Sequence, residues 1–119
     1  VRKAAVDAIG QLGSQMTTEM QSALVNVSLH DENDWVRKAA VYVIGQLGSQ
    51  MTTEMQSALV NLSLHDENEL VRKAAVYAIG QLGSPMTTEM QSALVNLSLH
   101  DENELVRKAA VYAIGQLGS

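Results

Sequence analysis

The stretch LHDENELVRKAAVYAIGQLG, residues 64–83, decides the fold of this 119-residue chain. At about 100° per residue, its apolar side chains fall on one broad side of a helix, whereas Lys73 and Val76 lie on the opposite side. Asn68 suits the N-cap of that helix, and Gly83 suits a left-handed stop at its C-terminus. The stretch therefore predicts an amphipathic helix. Its apolar side comprises Leu70, Val71, Ala74, Ala75, Ala78, Ile79 and Leu82.

The same stretch belongs to an internal repeat. The string VRKAAV begins at positions 1, 36, 71 and 106, so the period is 35 residues. The second and third units differ at two positions only, 43/78 and 50/85. We interpret the whole chain, residues 1–119, as a single repeat array. Its units are 1–35, 36–70, 71–105 and a partial unit at 106–119.

A second apolar pattern in each unit predicts another helix. In the second unit, Met51, Met55, Ala58, Leu59 and Leu62 form one stripe at helical spacing, which is typical of core filling. In the third unit, a serine followed by a proline predicts the helix start, with Ser84 as N-cap and Pro85 at the first helical position. Apolar residues also lie on the far side of this helix, so it needs neighbours on two sides.

Together the two patterns predict an all-α fold. A single helix pair cannot bury both of its apolar sides, whereas stacked pairs can. We therefore predict an α-solenoid, an α-α superhelix of stacked antiparallel helix pairs with seven helices. Their approximate ranges are 2–12, 15–29, 33–47, 50–64, 68–82, 85–99 and 103–117.

The repeat resembles the HEAT family, including its bacterial lyase-type (PBS-lyase-like) branch. The residues that carry the resemblance are Asp66, Val71, Arg72, Ala75, Ile79 and Gly80, with their equivalents in the other units. The resemblance implies that the second helix of each pair lines a concave surface. It also implies a ladder of charge-assisted hydrogen bonds between repeats. The ladder residues are Asp31, Arg37, Asp66, Arg72, Asp101 and Arg107.

The solvent side of these second helices is the candidate binding surface. Tyrosine and arginine are enriched at the centres of interfaces, and here they recur at 35-residue steps. We predict an exposed protein-binding strip in which Val76 also takes part. The alternative is a solvated face on which Arg72 pairs with Asp66. The strip comprises Arg37, Lys38, Tyr42, Arg72, Lys73, Tyr77, Arg107, Lys108 and Tyr112.

Composition excludes several function classes. The chain has no cysteine, which excludes disulfides and thiolate chemistry, and its net charge of −5 argues against nucleic acid. No apolar run is long enough for a membrane span. His65, Asp66 and Glu67 recur in each unit, but equivalent side chains on packed helices lie too far apart to share a metal ion. We therefore expect no metal, no cofactor, no catalysis and a cytoplasmic location.

The sequence predicts a class of function more clearly than a partner. We expect a non-catalytic scaffold or protein-interaction module, and the resemblance implies the sensor or ligand-binding region of a larger bacterial signalling protein. The alternatives are a HEAT-like subunit of a tetrapyrrole lyase and an artificial scaffold without a natural ligand. Apolar residues persist in the first and last helices, so we also predict a segment of a longer array or self-association through exposed ends.

Overall fold

The computed structural model describes residues 17–83 and 85–117 of the chain. This part folds into six α-helices and one short 3-10 helix, Gly48–Gln50, and contains no strand. The first of the seven predicted helices, 2–12, lies outside the described residues. The α-helices are α1 Thr18–His30, α2 Asp34–Gln46, α3 Thr53–His65, α4 Glu69–Leu82, α5 Thr88–His100 and α6 Glu104–Gln116.

The helices form stacked pairs in two layers. Helices α1, α3 and α5 make one layer, and each packs against the helix that follows it, which belongs to the second layer of α2, α4 and α6. Within each layer, neighbouring helices also contact each other, so each pair lies against the next. The predicted all-α solenoid of antiparallel pairs is therefore confirmed.

Asparagine begins each helix of the second layer. The Asn68 side chain accepts hydrogen bonds from the backbone N–H groups of Leu70 and Val71, at 2.8 and 3.2 Å. Asn33 and Asn103 cap α2 and α6 in the same way. These bonds satisfy amides that have no partner inside the helix, as the sequence predicts.

The helices of the first layer begin three residues later than predicted. Thr52 and Thr87, rather than a residue before Gln50 or Pro85, cap α3 and α5, and each threonine hydroxyl accepts from a backbone N–H at 3.1 Å. Met51 consequently precedes α3, yet it is buried at 6% exposure. Met51 fits the helical spacing of the apolar stripe, and for this reason the predicted helix start is too early.

The connection between successive helix pairs depends on one substitution. In the second unit, the Gln50 backbone N–H donates to the Leu47 carbonyl at 2.9 Å and forms the 3-10 helix. Pro85 occupies the equivalent place in the third unit and has no N–H to donate, so α4 ends on Gly83 instead. Gly83 has a φ of 64°, a region that favours glycine, which agrees with the predicted stop.

The core lies between the two layers and also between neighbouring pairs. Met55, Leu59 and Ile79 are fully buried in it. The prediction that Val76 faces solvent is wrong, because α4 is packed on its flanks by α2 and α6 as well as on α3. Val76 therefore has no exposed surface, whereas Leu70, predicted on the apolar side, is 43% exposed at the start of α4.

Candidate functional site

A buried ion pair joins neighbouring helix pairs. Arg37 Nε and Nη2 donate to the two carboxylate oxygens of Asp66 at 2.9 and 3.1 Å. Arg72 makes the same pair of bonds to Asp101 at 3.0 and 3.3 Å. Each pair links residues 29 positions apart, and the arginine side chains are only 8% exposed. Two parallel bonds between charged groups are a strong and geometrically specific contact.

The same arginines also hold the turn of their own helix pair. Arg72 Nη1 donates to the backbone carbonyl of Asp66 at 2.9 Å, while the Asp66 carboxylate accepts from the Asn68 backbone N–H at 2.9 Å. The bonds to Asp66 raise the pKa of Arg37, although burial opposes this. Asp31 and Asp101 offer their carbonyls to Arg37 and Arg107 in the same way, at 2.9 and 2.6 Å. Each arginine thus bonds to the turn six residues before it, within its own helix pair, and two of the arginines also bind the next helix pair.

This geometry corrects the predicted binding strip. Arg37 and Arg72 are 6% exposed, because each guanidinium binds the aspartate of the following helix pair at the boundary between the two pairs. They therefore belong to the bonds between repeats and not to an exposed surface. Arg107 is half-buried. The alternative contact of Arg72 with Asp66 is present, but it is made to the backbone carbonyl of Asp66, and the carboxylate partner of Arg72 is Asp101.

The remaining strip residues share the solvent side of the second layer. Tyr42, Tyr77 and Tyr112 are 57–63% exposed, although the helices around them are well packed. A lysine lies four residues before each tyrosine and a glutamine four residues after it, so the three side chains follow one helix face. The sequence prediction did not include the glutamines, which this i+4 spacing could have indicated. We call this surface the tyrosine face: Lys38, Tyr42, Gln46, Lys73, Tyr77, Gln81, Lys108, Tyr112 and Gln116.

Two grooves cross the tyrosine face, one at each junction between neighbouring helices of the second layer. The groove between α4 and α6 has a volume of about 520 Å³, and the groove between α2 and α4 about 290 Å³. Their linings are equivalent, with small residues between tyrosines and glutamines. The larger groove is lined mainly by Lys73, Tyr77, Gly80, Gln81, Lys108, Tyr112 and Ala113.

Small residues allow the helices under the grooves to approach closely. A Cβ atom added at Gly45 would lie 3.1 Å from the Ala78 Cβ, closer than most real contacts. At Gly80, the distance to the Ala113 Cβ would be 3.4 Å, an ordinary contact. The floor of each groove is therefore backbone and methyl groups, and the tyrosines stand beside it.

The lysines of the tyrosine face make no ion pair with any described residue. Lys38 Nζ lies 4.8 Å from the centre of the exposed Trp35 ring, a cation–π contact. Lys73 and Lys108 border the larger groove. Their charges are therefore available to an acidic group from a partner.

The acidic turns of the described residues lie between the helices of each pair. Among the described residues, no group of three or more histidine and carboxylate side chains could hold a metal ion. His65 and His100 instead border a polar depression that also contains the buried pair of Arg72 and Asp101. Within the described part, no helix has both the length and the apolar character to cross a membrane.

The outer side of α5 and α6 is unusually apolar. Val111 is 59% exposed, whereas its equivalents Val41 and Val76 have no exposed surface. Leu99 in α5 is 66% exposed, and Val95 is 51% exposed. In the preceding units, the next pair of helices covers the corresponding surface. We call the surface formed by Val95, Leu99 and Val111 the outer apolar face.

Comparison with protein families assigns the repeats independently. A family model described as HEAT repeats matches residues 56–119, and one described as HEAT repeat matches residues 22–51. The first match alone covers more than half of the chain. A search of curated proteins found no match.

Proposed function

Because the chain belongs to the HEAT-repeat family, we propose that it is a non-catalytic, cytoplasmic module that binds protein partners through its tyrosine face. HEAT repeats generally serve as scaffolds for protein binding. The observation that carries the proposal is the exposure of Tyr42, Tyr77 and Tyr112, 57–63%, above two grooves. Tyrosine provides a large contact area with a polar end, and exposed aromatic rings beside concave surfaces favour binding.

The experiment is a quantitative affinity capture with the immobilised chain. It compares the wild type with Tyr42→Ala/Tyr77→Ala/Tyr112→Ala. The matched control is Asn26→Ala/Asn61→Ala/Asn96→Ala, which changes one exposed residue per unit in the other layer. We expect partners that bind the wild type and the asparagine variant but not the tyrosine variant. If every partner survives the tyrosine substitutions, the tyrosine face is not the binding site.

A finer role is that of a sensor or ligand-binding region in a larger bacterial signalling protein. The support is the resemblance together with grooves that recur at successive junctions. A tetrapyrrole lyase subunit has less support, because the groove-lining residues recur in the other units and none supplies a polar group special to a pigment. Titration with a linear tetrapyrrole, followed by absorbance, should leave the pigment spectrum unchanged if the sensor role is correct.

We also propose that the chain associates with a second copy through the outer apolar face. The support is the contrast between Val111, which is 59% exposed, and Val76, which the following pair covers completely. Because the units are nearly identical, a second copy can cover this face in the way that each helix pair of the chain covers the pair before it. An exposed apolar surface of this kind is a typical association site.

A further inference from the structure

Extending the proposed function, on which this inference rests, we infer that the tyrosine face binds an extended polyproline II segment of a partner protein. The segment carries an acidic side chain at every third residue. Proline rings lie in the grooves, and the carboxylates meet the lysines of successive units. Four features of the face support this: the spacing of its helices, the lining of its grooves, its free hydrogen-bonding groups and its unpaired charges.

The spacing of the second-layer helices matches one turn of a polyproline II helix. Packed helices lie about 8–10 Å apart, and the near contact between Gly45 and Ala78 shows a close approach here. Polyproline II has three residues per turn and a rise of about 3.1 Å, so equivalent side chains recur about every 9 Å. In a β-strand, by contrast, every third side chain points to the opposite side. Of these two extended forms, polyproline II is the one in which every third residue presents an equivalent side chain to each unit.

The grooves have the lining that such a segment needs. The larger one lies between Tyr77 and Tyr112, with Gly80 and Ala113 at its floor and a volume of about 520 Å³. Proline-rich segments bind in grooves lined by aromatic rings, because the rigid apolar ring loses little entropy on binding. The equivalent groove of about 290 Å³ beside Tyr42 continues the same path.

Hydrogen-bonding groups stand beside the grooves. The side chains of Tyr77 and Gln81 make no hydrogen bond to any described residue, and both are exposed. A polyproline II backbone has no internal hydrogen bonds, so its carbonyl groups are free to accept from these side chains. The tyrosine hydroxyl and the glutamine amide can both donate. They provide affinity that does not depend on the partner's side chains.

The lysines of the tyrosine face favour a partner whose acidic residues have the same spacing as the second-layer helices. Lys73 and Lys108 have no carboxylate partner among the described residues and border the larger groove. The acidic residues Glu69 and Glu104 lie one helical turn before these lysines. The positive stripe is therefore narrow, and a uniformly acidic surface would meet both signs of charge. A segment with carboxylates about 9 Å apart can reach the lysines while its prolines occupy the grooves.

The test uses fluorescein-labelled peptides of equal length and the full chain, with binding followed by fluorescence anisotropy at moderate salt. The peptides are (Glu-Pro-Pro)4, (Lys-Pro-Pro)4 and (Glu-Pro)6. We expect the first to bind most tightly and the lysine peptide not to bind. Because each exposed charge pair contributes up to about fivefold in affinity, Lys38→Gln/Lys73→Gln/Lys108→Gln should weaken binding roughly 10- to 100-fold. The Asn26→Ala/Asn61→Ala/Asn96→Ala variant should bind like the wild type.

Two results would overturn the inference. One is absence of binding of (Glu-Pro-Pro)4, and the other is equal affinity for the acidic and basic peptides. Circular dichroism of the lysine variant verifies its fold, which these changes should preserve because Lys73 and Lys108 are exposed and Lys38 is only partly buried. If protein capture still depends on the tyrosines, the proposed function stands and only the partner class is wrong. If capture does not depend on them, the proposed function fails whatever the peptides do.

Discussion

Arg37 Nε lies 2.9 Å from Asp66 Oδ2, across the boundary between two consecutive helix pairs, α1/α2 and α3/α4. The Asp66 side chain is only 6% exposed, and it also accepts from the Asn68 backbone N–H. One carboxylate thus fixes the turn that begins α4 and binds that turn to the preceding helix pair. The contact between repeats and the start of a helix are consequently the same interaction.

Removal of this carboxylate should destabilise the array. Asp66→Ala leaves the buried Arg37 guanidinium without its counterion and removes a hydrogen bond from the turn. Breaking one partner out of a buried pair costs about 3–5 kcal/mol. The control is Glu67→Ala, an exposed neighbour whose loss should cost less than about 0.5 kcal/mol. Urea denaturation measures both, and similar losses for the two variants would contradict the structural role of Asp66.

A second prediction concerns the start of α3. Thr52 caps this helix through its hydroxyl, whereas the adjacent Thr53 is exposed and makes no capping bond. Thr52→Ala should lower the free energy of unfolding by about 1 kcal/mol, because one helix N–H loses its acceptor. Thr53→Ala provides the matched control and should have almost no effect. Equal unfolding midpoints for the two variants would place the helix start elsewhere.

This helix start also shows where the sequence is insufficient. The two-helix unit, its period and the asparagine caps follow from local patterns, and the structure confirms them. Ser84-Pro85 is a strong start signal, yet Thr87 is the cap of α5. The sequence cannot choose between the two positions, because both offer a suitable hydroxyl and the spacing of the methionines fits either helix start. Only the packing of the pairs decides between them.

Burial on the helix flanks could not be predicted from local sequence at all. Val76 and Val111 lie in the same local sequence, but one has no exposed surface and the other is 59% exposed. Their difference comes only from whether another pair lies alongside. The buried arginines have the same explanation, because the aspartate that holds Arg37 lies 29 residues away. The exposure of the tyrosines could be predicted, because they recur at 35-residue steps outside the apolar side of the helix pattern. The structure shows all three of them exposed.

A third prediction uses the two glycines under the grooves. Glycine inside a helix costs about 1 kcal/mol relative to alanine. Gly80→Ala should therefore stabilise the chain, because the new methyl group fits at 3.4 Å from the Ala113 Cβ. At Gly45, the methyl group would lie 3.1 Å from the Ala78 Cβ and 3.3 Å from its Cα, which cannot rotate away. Gly45→Ala should therefore gain nothing or lose stability. Chemical denaturation compares the two variants, and equal gains would show that the helices can separate freely.

The last prediction separates burial from association with one pair of substitutions. Val76→Asp puts an unpaired charge into a fully buried site, so it should cost several kcal/mol and unfold part of the array. Val111→Asp changes the same residue in the same local sequence at 59% exposure, and should leave the unfolding free energy nearly unchanged.

If the outer apolar face binds a second copy, size-exclusion chromatography with light scattering should show a mass that rises with concentration for the wild type and a monomer for Val111→Asp. A wild-type chain that stays monomeric up to millimolar concentration would exclude this face as an association site. A Val111→Asp chain that associates as well as the wild type would exclude it too, because a carboxylate buried in the contact should oppose apolar association.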